Sequence, residues 1–479
     1  VIRKISIIAG PIAGALVYYL TSKQGVASAV CCMAFITVWM AIWWITEAVA
    51  IGVTSLLPFV LMPLMQVMKA EDVALQYMDQ TIFLFIGGFF LAYAMEKWNL
   101  HLRIAYRIIL LTGCSPARIL AGLMLTAYVI SMWISNTATT LMLVAAAIAI
   151  IKHKELFYGH KQEHIGAAFL IGLSYSATIG GMATIVGTPT NMIFTAFWEN
   201  HFPLREPITF WNWCVFGIPL SMVLLITGYL LLKNIYGIKD ISSDRKFISA
   251  KYKAMGNVTL EQKAVMAFFS LTVLLWFTRT GIDLGGFILG GWEGWFSKGF
   301  IKDSTVAIVT AIMLFVFPAR ERGKFILEWD DVKRLPFHII LLFGGGFALA
   351  KGIEVSGLGN FLAGQLRFFS DYPLWMLIAV LAILITFLSE IASNVATITL
   401  MLPILSSLAI AINVDPLKLM LPATFAASFG FMLVIATAPN TIVFATGHFK
   451  SRELFRVGLL MNLVGIVILT LAMVLFDMQ

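Results

Sequence analysis

The sequence predicts an all-α polytopic membrane protein, on three observations. Of its 479 residues, 60% are hydrophobic and 12% charged, against about 45–50% and about 25% in an average soluble domain. The apolar residues gather in separate runs of about 17–25 residues, the length that crosses the hydrocarbon core as a helix. Finally, the longest polar stretch, Lys233 to Lys263, is too short to bury a core of its own, which excludes an appended enzyme domain.

In order along the chain, eleven crossings are expected, at 5–20, 26–44, 51–68, 81–96, 165–194, 211–232, 264–279, 303–319, 338–353, 419–446 and 457–477. The run 5–20 follows Arg3 and Lys4, but no small-residue cleavage pattern ends it. It therefore reads as an uncleaved first span and not as a signal peptide. Two further apolar stretches, 116–151 and 373–411, are each interrupted by a polar tip and read as re-entrant hairpins, entering and leaving on one side.

The net charge of +8 would elsewhere suggest nucleic acid, but here the basic residues sit in loops between apolar runs. An N-terminus inside puts most of the 33 Lys and Arg on the cytoplasmic side, as the positive-inside rule requires. The cytoplasmic segments are then the loops 152–161, 233–263, 320–334 and 450–456, with Lys97, Arg103, Arg107 and Arg118. An odd number of crossings leaves the C-terminus outside. The sequon Asn257-Val258-Thr259 falls in the cytoplasm on this reading, and short loops favour a bacterial inner (plasma) membrane. Cys31, Cys32, Cys114 and Cys214 have no metal or disulfide spacing and read as small apolar core residues. The seven histidines, at 101, 153, 160, 164, 201, 338 and 448, form no ligand pattern.

The chain also repeats itself. Gly87-Gly88-Phe89-Phe90-Leu91-Ala92 resembles Gly345-Gly346-Phe347-Ala348-Leu349-Ala350 at an offset of 258, and the same offset relates Glu96 to Glu354, Leu100 to Leu358 and Ser131 to Ser389. It further relates Ser135-Asn136 to Ser393-Asn394 and Ala138-Thr139 to Ala396-Thr397. Gly187-Thr188-Pro189-Thr190-Asn191 matches Ala436-Thr437-Ala438-Pro439-Asn440 at an offset of 249. Five crossings separate equivalent elements, and because five is odd the halves are inverted relative to each other, as in secondary transporters.

Ser135-Asn136-Thr137 and Ser393-Asn394-Val395 interrupt the two hairpins. Ser, Asn and Thr are N-cap residues, so each tip ends one half-helix and starts another, whose free N–H groups suit an anion. The hydroxyls of Ser131, Ser135, Ser389 and Ser393, with carbonyls left by the first half-helix, are hard oxygen ligands that fit sodium better than a transition metal. Gly180, Gly181, Gly187 and Pro189 cannot all sit in a regular helix, nor can Pro439. Both spans should unwind there. Irregular backbone at membrane depth must be buried in protein or line a cavity, so breaks and tips should share a midplane pocket. No Lys or Arg lies in either tip or break, so a dianionic substrate would need helix dipoles, hydrogen bonds and co-bound cations.

Glu390 is the acid within a hairpin, and its repeat mate is Met132. An intramembrane carboxylate is a functional candidate, and two readings stay open: a proton- or cation-linked role, or a structural one. Two amphipathic stretches precede the hairpins. Leu100, Ile104, Ile108 and Leu111 form one face with Arg103 and Arg107 off it, while Leu358, Phe361, Leu362 and Leu366 form the other with Arg367 off it. Both read as interfacial arms.

The paired tips, each followed by a Gly-Thr-Pro or Ala-Thr-x-Pro break, together with Trp-Ile-Thr-Glu-Ala at 44–48, resemble the divalent anion:sodium symporter family over nearly the full length. The resemblance implies no enzyme activity and no organic cofactor, but a homodimer of eleven-helix protomers working as elevators. Scaffold parts would be 1–115 and 264–372, transport parts 116–232 and 373–479, with a cytoplasmic loop at 233–263. One sodium site would use Ser131, Ser135, Asn136 and the backbone of Gly187. The other would use Ser389, Ala392, Ser393, Asn394 and the backbone of Ala436. Substrate carboxylates would meet Asn136, Thr137, Thr188, Asn394, Thr437 and Ala438, with helix breaks at Pro189 and Pro439. Val395 stands where a full second motif has threonine and removes one hydroxyl. The expected activity is sodium-coupled symport of C4-dicarboxylates (succinate, malate, fumarate). The competing readings are a sodium-independent dicarboxylate antiporter, a sodium-coupled citrate or sulfate transporter and, from other classes, a channel or membrane enzyme.

Overall fold

The computed structural model describes residues 2–153, 162–239, 246–283, 288–297 and 299–476. His160 and most of the 152–161 loop lie outside the described residues, as do residues 240–245 of the 233–263 loop.

The chain opens with α1 (Ile2–Lys23) and α2 (Ser28–Thr46), then the short α3 (Ile51–Thr54), α4 (Leu57–Leu64) and α5 (Ala70–Gln76). α6 (Gln80–Lys97) and α7 (Leu100–Thr112) lead into a first helical hairpin, α8 (Pro116–Ser131) and α9 (Asn136–Ile151). A broken run follows, α10 (Gln162–Met182) and α11 (Pro189–His201), then α12 (Phe210–Ile235). After α13 (Lys246–Ala254), α14 (Leu260–Thr278), α15 (Asp303–Val316), α16 (Phe337–Ser356) and α17 (Leu358–Leu366) comes the second hairpin, α18 (Leu374–Ile391) and α19 (Asn394–Ala411). The second broken run is α20 (Leu417–Ala427) and α21 (Ala438–Phe444), and α22 (Ser451–Phe476) ends the described fold. One small departure from an all-helical chain is an antiparallel ribbon between α14 and α15, β1 (Gly281–Asp283) on β2 (Ile288–Gly290), with Ile282 opposite Leu289.

Among the described residues, 10 helices are long and apolar enough to cross a membrane, counting α5 and α6 as one run. Eight coincide with expected crossings: α1, α2, α6, α10, α12, α14, α16 and α22; the others are α18 and α19. The remaining expected crossings are made of shorter pieces. The 51–68 run breaks at Ser55 and Leu56, between α3 and α4. Ser55 is held there from three sides, because Trp44 Nε1 donates to its Oγ (3.2 Å), Tyr77 Oη donates to its carbonyl (2.5 Å), and its own hydroxyl donates to the Ile51 carbonyl (2.8 Å). Trp44, the first residue of the 44–48 motif, is thus a buried anchor. Glu47 of the same motif closes α2 in the left-handed region, and Arg3 Nε donates to its carbonyl at 2.9 Å.

α10 is buried along its whole apolar length and packs on α8, α9, α12 and α21. Outward faces are greasy: Ile5, Ile8, Ile12, Leu16 and Leu20 of α1, and Leu460, Leu463, Val467, Leu471 and Leu475 of α22, are exposed at helical spacing. All four cysteines are free and buried, as expected. The packing is doubled. α8, α9 and α12 surround α10 while α18, α19 and α22 surround α20; α12 packs on α8, and α22 on α18. The short helices beyond the breaks change partners, so that α11 packs on α19 and α21 on α9.

One arm differs from expectation. On α7 the buried residues are Leu100, His101, Arg103, Ala105 and Ile109, while Leu111 is exposed. Arg103 does not point to solvent. Its guanidinium donates to the carbonyls of Met255, Gly256 and Asn257 (3.0, 3.0 and 3.2 Å) and to Gln262 Oε1 (3.1 Å). The carbonyl-rich turn before α14 offers an arginine more acceptors than the interface does, which the helical period of α7 alone does not reveal. α17 keeps its expected face, with Leu358 buried, Phe361, Leu362 and Leu366 partly so, and Arg367 exposed.

Arg103→Ala should therefore lower stability by about 3 kcal/mol, since it strips several hydrogen bonds made by a charged donor. Arg107→Ala, on an exposed position of the same helix, should change it by under about 0.5 kcal/mol. Thermal unfolding in detergent compares the two.

Candidate functional site

In a bilayer interior every backbone polar group left by a broken helix must find a partner within the protein. Both breaks solve this in one way. Asn191 Nδ2 donates to the carbonyls of Gly181 (3.0 Å) and Thr184 (2.7 Å). Asn440 Nδ2 donates to those of Gly430 (2.9 Å) and Leu433 (2.9 Å). The spacing along the chain is the same in both copies, seven and ten residues back. Both asparagines are buried. Each staples an unwound loop, 183–188 or 428–437, to the helix that resumes after it. Ser174 Oγ donates to Asn440 Oδ1 (2.6 Å), and Thr190 and Ser428 hydroxyls meet at 3.2 Å, tying the breaks together. Tyr175 Oη donates to the Phe431 carbonyl at 2.9 Å.

The expected breaks at Pro189 and Pro439 are present, the first proline opening α11 and the second standing at the second position of α21. Thr188 and Thr437 are the N-cap residues, and Thr437 Oγ1 accepts from the Asn440 N–H at 3.4 Å. Gly187 and Ala436 are buried in the loops just before these caps, and Ala438 is exposed at the start of α21.

The tips also form as expected. α8 ends at Ser131 and α9 starts at Asn136, with Ser135 at the N-cap accepting from the Ala138 N–H at 3.3 Å. Ser131 is buried and its Oγ donates to Asn136 Oδ1 at 2.9 Å. Thr137 is half-buried on the first turn of α9. In the second tip, Ala392 ends α18 and Ser393 caps α19 by position, without a side-chain cap bond. Ser389 is buried and donates to the Thr386 carbonyl at 3.0 Å. Asn394 Oδ1 is buried and has no hydrogen-bond partner. The half-buried Val395 offers only its carbonyl, which accepts from Thr399 Oγ1 at 2.7 Å.

Tips and breaks meet. A Cβ on Gly181 would collide with Asn136 Oδ1, so glycine lets the first break lie against the first tip without displacing that side chain. A Cβ on Gly430, its counterpart, would sit 3.6 Å from Asn394 Oδ1. The first tip is tied to its break by the Thr184 hydroxyl, which donates to the Met132 carbonyl. At the equivalent positions the second tip uses Glu390, whose Oε2 accepts from the Leu433 N–H at 2.8 Å. Its Oε1 accepts from the Met432 N–H at 2.7 Å and from Asn462 Nδ2 at 2.6 Å. In this geometry Glu390 clamps the second break.

Sequence reasoning named neither Asn191 nor Asn440 as a site residue, although both end the doubled break motif in matched register. Thr184, Ser428 and Asn462 carried no signal at all.

Hard oxygen donors at both tips fit an alkali cation, and the buried Asn394 Oδ1 is an acceptor lacking a partner. No group of three or more His, Cys, Asp or Glu that could hold a metal ion occurs among the described residues.

A family model described as the sodium:sulfate symporter transmembrane region matches residues 4–478. The chain belongs to this family of divalent anion:sodium symporters. Its members are transporters and not enzymes, and sodium is the coupling ion. The chain is 39% identical to the sodium-dependent dicarboxylate transporter SdcS of Staphylococcus saprophyticus subsp. saprophyticus over 477 residues, covering 98% of this chain and 90% of that one. It is likewise 39% identical to SdcS of Staphylococcus aureus (strain bovine RF122 / ET3-1) over 446 residues, 91% of this chain and 84% of the relative. Among solved structures, the YdaH transporter of Alcanivorax borkumensis shares the fold at a TM-score of 0.57 and 12% identity, over 84% of this chain and 85% of that one. MtrF of Neisseria gonorrhoeae does so at 0.50 and 13%, over 84% and 82%.

Asn191→Ala and Asn440→Ala should each destabilise the protein by about 2–4 kcal/mol, by leaving one buried carbonyl, that of Gly181 or Gly430, without a donor and taking a second donor from Thr184 or Leu433, which keep the Gly187 or Ala436 N–H. Asn→Asp at either position keeps the shape but loses the donors, and should be no milder. Thermal unfolding of the four variants checks the staple.

Proposed function

We propose that this symporter takes up C4-dicarboxylates such as succinate, malate and fumarate together with sodium, at a pocket between the two tips and the two breaks. The observation that carries the reading is the doubled, stapled break lying against a doubled Ser-Asn tip, with no Lys or Arg in any of the four segments. A dianion there has to be held by helix N-termini, amides and hydroxyls, and by co-bound cations. The SdcS relatives, which are sodium-dependent dicarboxylate transporters, support dicarboxylate over citrate or sulfate.

One sodium ion would be held by Ser131, Ser135, Asn136 and the carbonyl of Gly187, the other by Ser389, Ala392, Ser393, Asn394 and the carbonyl of Ala436. The substrate carboxylates would be met by Asn136, Thr137, Thr188, Asn394, Thr437 and the region of Ala438. Val395 makes the second end of the pocket less polar than the first.

The protomer is read as eleven crossings with two re-entrant hairpins in inverted repeats, the N-terminus cytoplasmic and the C-terminus outside. The doubled packing of α8–α12 and α18–α22, with α11 and α21 exchanged, supports the inverted repeat. The segments 116–232 and 373–479 would move as an elevator against a scaffold of 1–115 and 264–372, in a homodimer. Polar contacts between the end of α11 and the scaffold suit a sliding interface: Glu199 meets Lys302 (3.0 Å) and Gln80 (2.8 Å), and Asn200 meets Asp79 (2.9 Å).

Uptake of labelled succinate into proteoliposomes should rise with an inward sodium gradient and not with potassium. Asn136→Ala and Asn394→Ala should each cut it by a factor of about 10–100, the cost of a hydrogen bond to a charged group. Uptake indifferent to sodium but dependent on internal dicarboxylate would make the protein an exchanger instead.

A further inference from the structure

The two short helices beyond the breaks are mates in the repeat, yet they sit differently. α11 is buried from Thr190 to Trp198 and packs on α6 and α16 as well as on α19 and α20. α21 packs on α9 and α10 and buries Pro439, Asn440 and Val443, leaving Thr441 and the adjoining Ala445 exposed. Ala445 lies at the repeat offset of 249 from Ala196, which is buried. The α11 end is thus closed over by α6 and α16, and the α21 end is open.

Polar ties fasten the closed end. Glu199 Oε2 accepts from Lys302 Nζ (3.0 Å) and Gln80 Nε2 (2.8 Å). Asp79 caps α6 with one oxygen, accepting from the Thr81 N–H at 2.8 Å, and with the other accepts from Asn200 Nδ2 at 2.9 Å. His201 Nδ1 lies 3.7 Å from Glu354 Oε2. The α15 side of this seam is itself braced, since Arg279 donates to Asp303 and Glu293, both at 2.6 Å, and so fixes the start of α15 beside Lys302. At the open end, no hydrogen bond or ion pair among the described residues joins 445–456 to the segments 1–115 or 264–372. Half-buried polar ties are worth little singly, so a set of them can hold one state without freezing it.

Resting on the reading of 116–232 and 373–479 as the moving part, we propose that Glu199, with Asn200 and His201, is a latch that holds the α11 end shut. Its release lets α11 part from α6 and α16. The exposed face of α21 then becomes covered in turn, as an inverted repeat that alternates between two faces requires. The latch thereby sets the balance between the two states.

The test is the rate at which two cysteine reporters react with a thiol reagent in the purified protein, where the native cysteines are buried. Thr195→Cys lies under the latch, in the cavity lined by Gln80, Glu199 and Lys302, and should react slowly. Ala445→Cys should react fast. Adding Glu199→Gln, or Lys302→Gln where that variant folds poorly, should speed Thr195→Cys about fivefold and slow Ala445→Cys about twofold, the result of moving the latched fraction from about nine-tenths to about half. Asp415→Asn breaks the Arg205–Asp415 pair (2.6 Å), which lies within the moving part, and should change neither rate. A faster Thr195→Cys with Ala445→Cys unchanged means local loosening and overturns the latch, as does no change at either reporter. Neither rate needs substrate or sodium, so failure of sodium-driven uptake overturns the functional reading and leaves this result standing.

Discussion

Two buried amide side chains hold the rest of the site in place. A helix that unwinds at membrane depth frees carbonyls that water cannot reach, and each would cost several kcal/mol if left alone. Asn191 and Asn440 each bind two of them. With the carbonyls satisfied, the loops can remain irregular and lie against the tips at Gly181 and Gly430. The short helices beyond them can then pack across onto the opposite hairpin, α11 on α19 and α21 on α9. Without the staples the buried carbonyls of Gly181 and Gly430 would have no donor.

The repeat is conserved in geometry more than in chemistry. Residue pairs 132/184 and 390/433 make the same tip-to-break tie, one through a hydroxyl and a carbonyl, the other through a carboxylate and an N–H. The tips also cap differently, since Ser135 bonds to the Ala138 N–H while Ser393 makes no side-chain cap bond.

Much of this was legible from residue order because it follows from local rules. Pro189 and Pro439 cannot continue a helix, so both breaks formed where expected. The hairpin tips fell at Ser-Asn because those residues start helices. What stayed hidden depends on partners distant in the chain. The break at Ser55 is set by Trp44 and Tyr77, which no local pattern announces in a run that reads as one span. Arg103 looked like an interfacial charge until a turn of carbonyls more than a hundred residues away took it in. Asn191 and Asn440 were visible in register, yet an amide in an apolar run reads as interhelical glue until its acceptors are known. Glu390 was seen as an exception to the repeat, and its role came only with the loop it grips.

Hydrogen–deuterium exchange of the purified protein, with and without sodium, tests most directly whether the stapled breaks and the tips form the cation sites. Amides in 181–191 and 428–440 should slow together in sodium, along with the tips at 131–137 and 389–395, and potassium should leave them unchanged. Protection that appears elsewhere in the chain, or equally in potassium, would contradict the account.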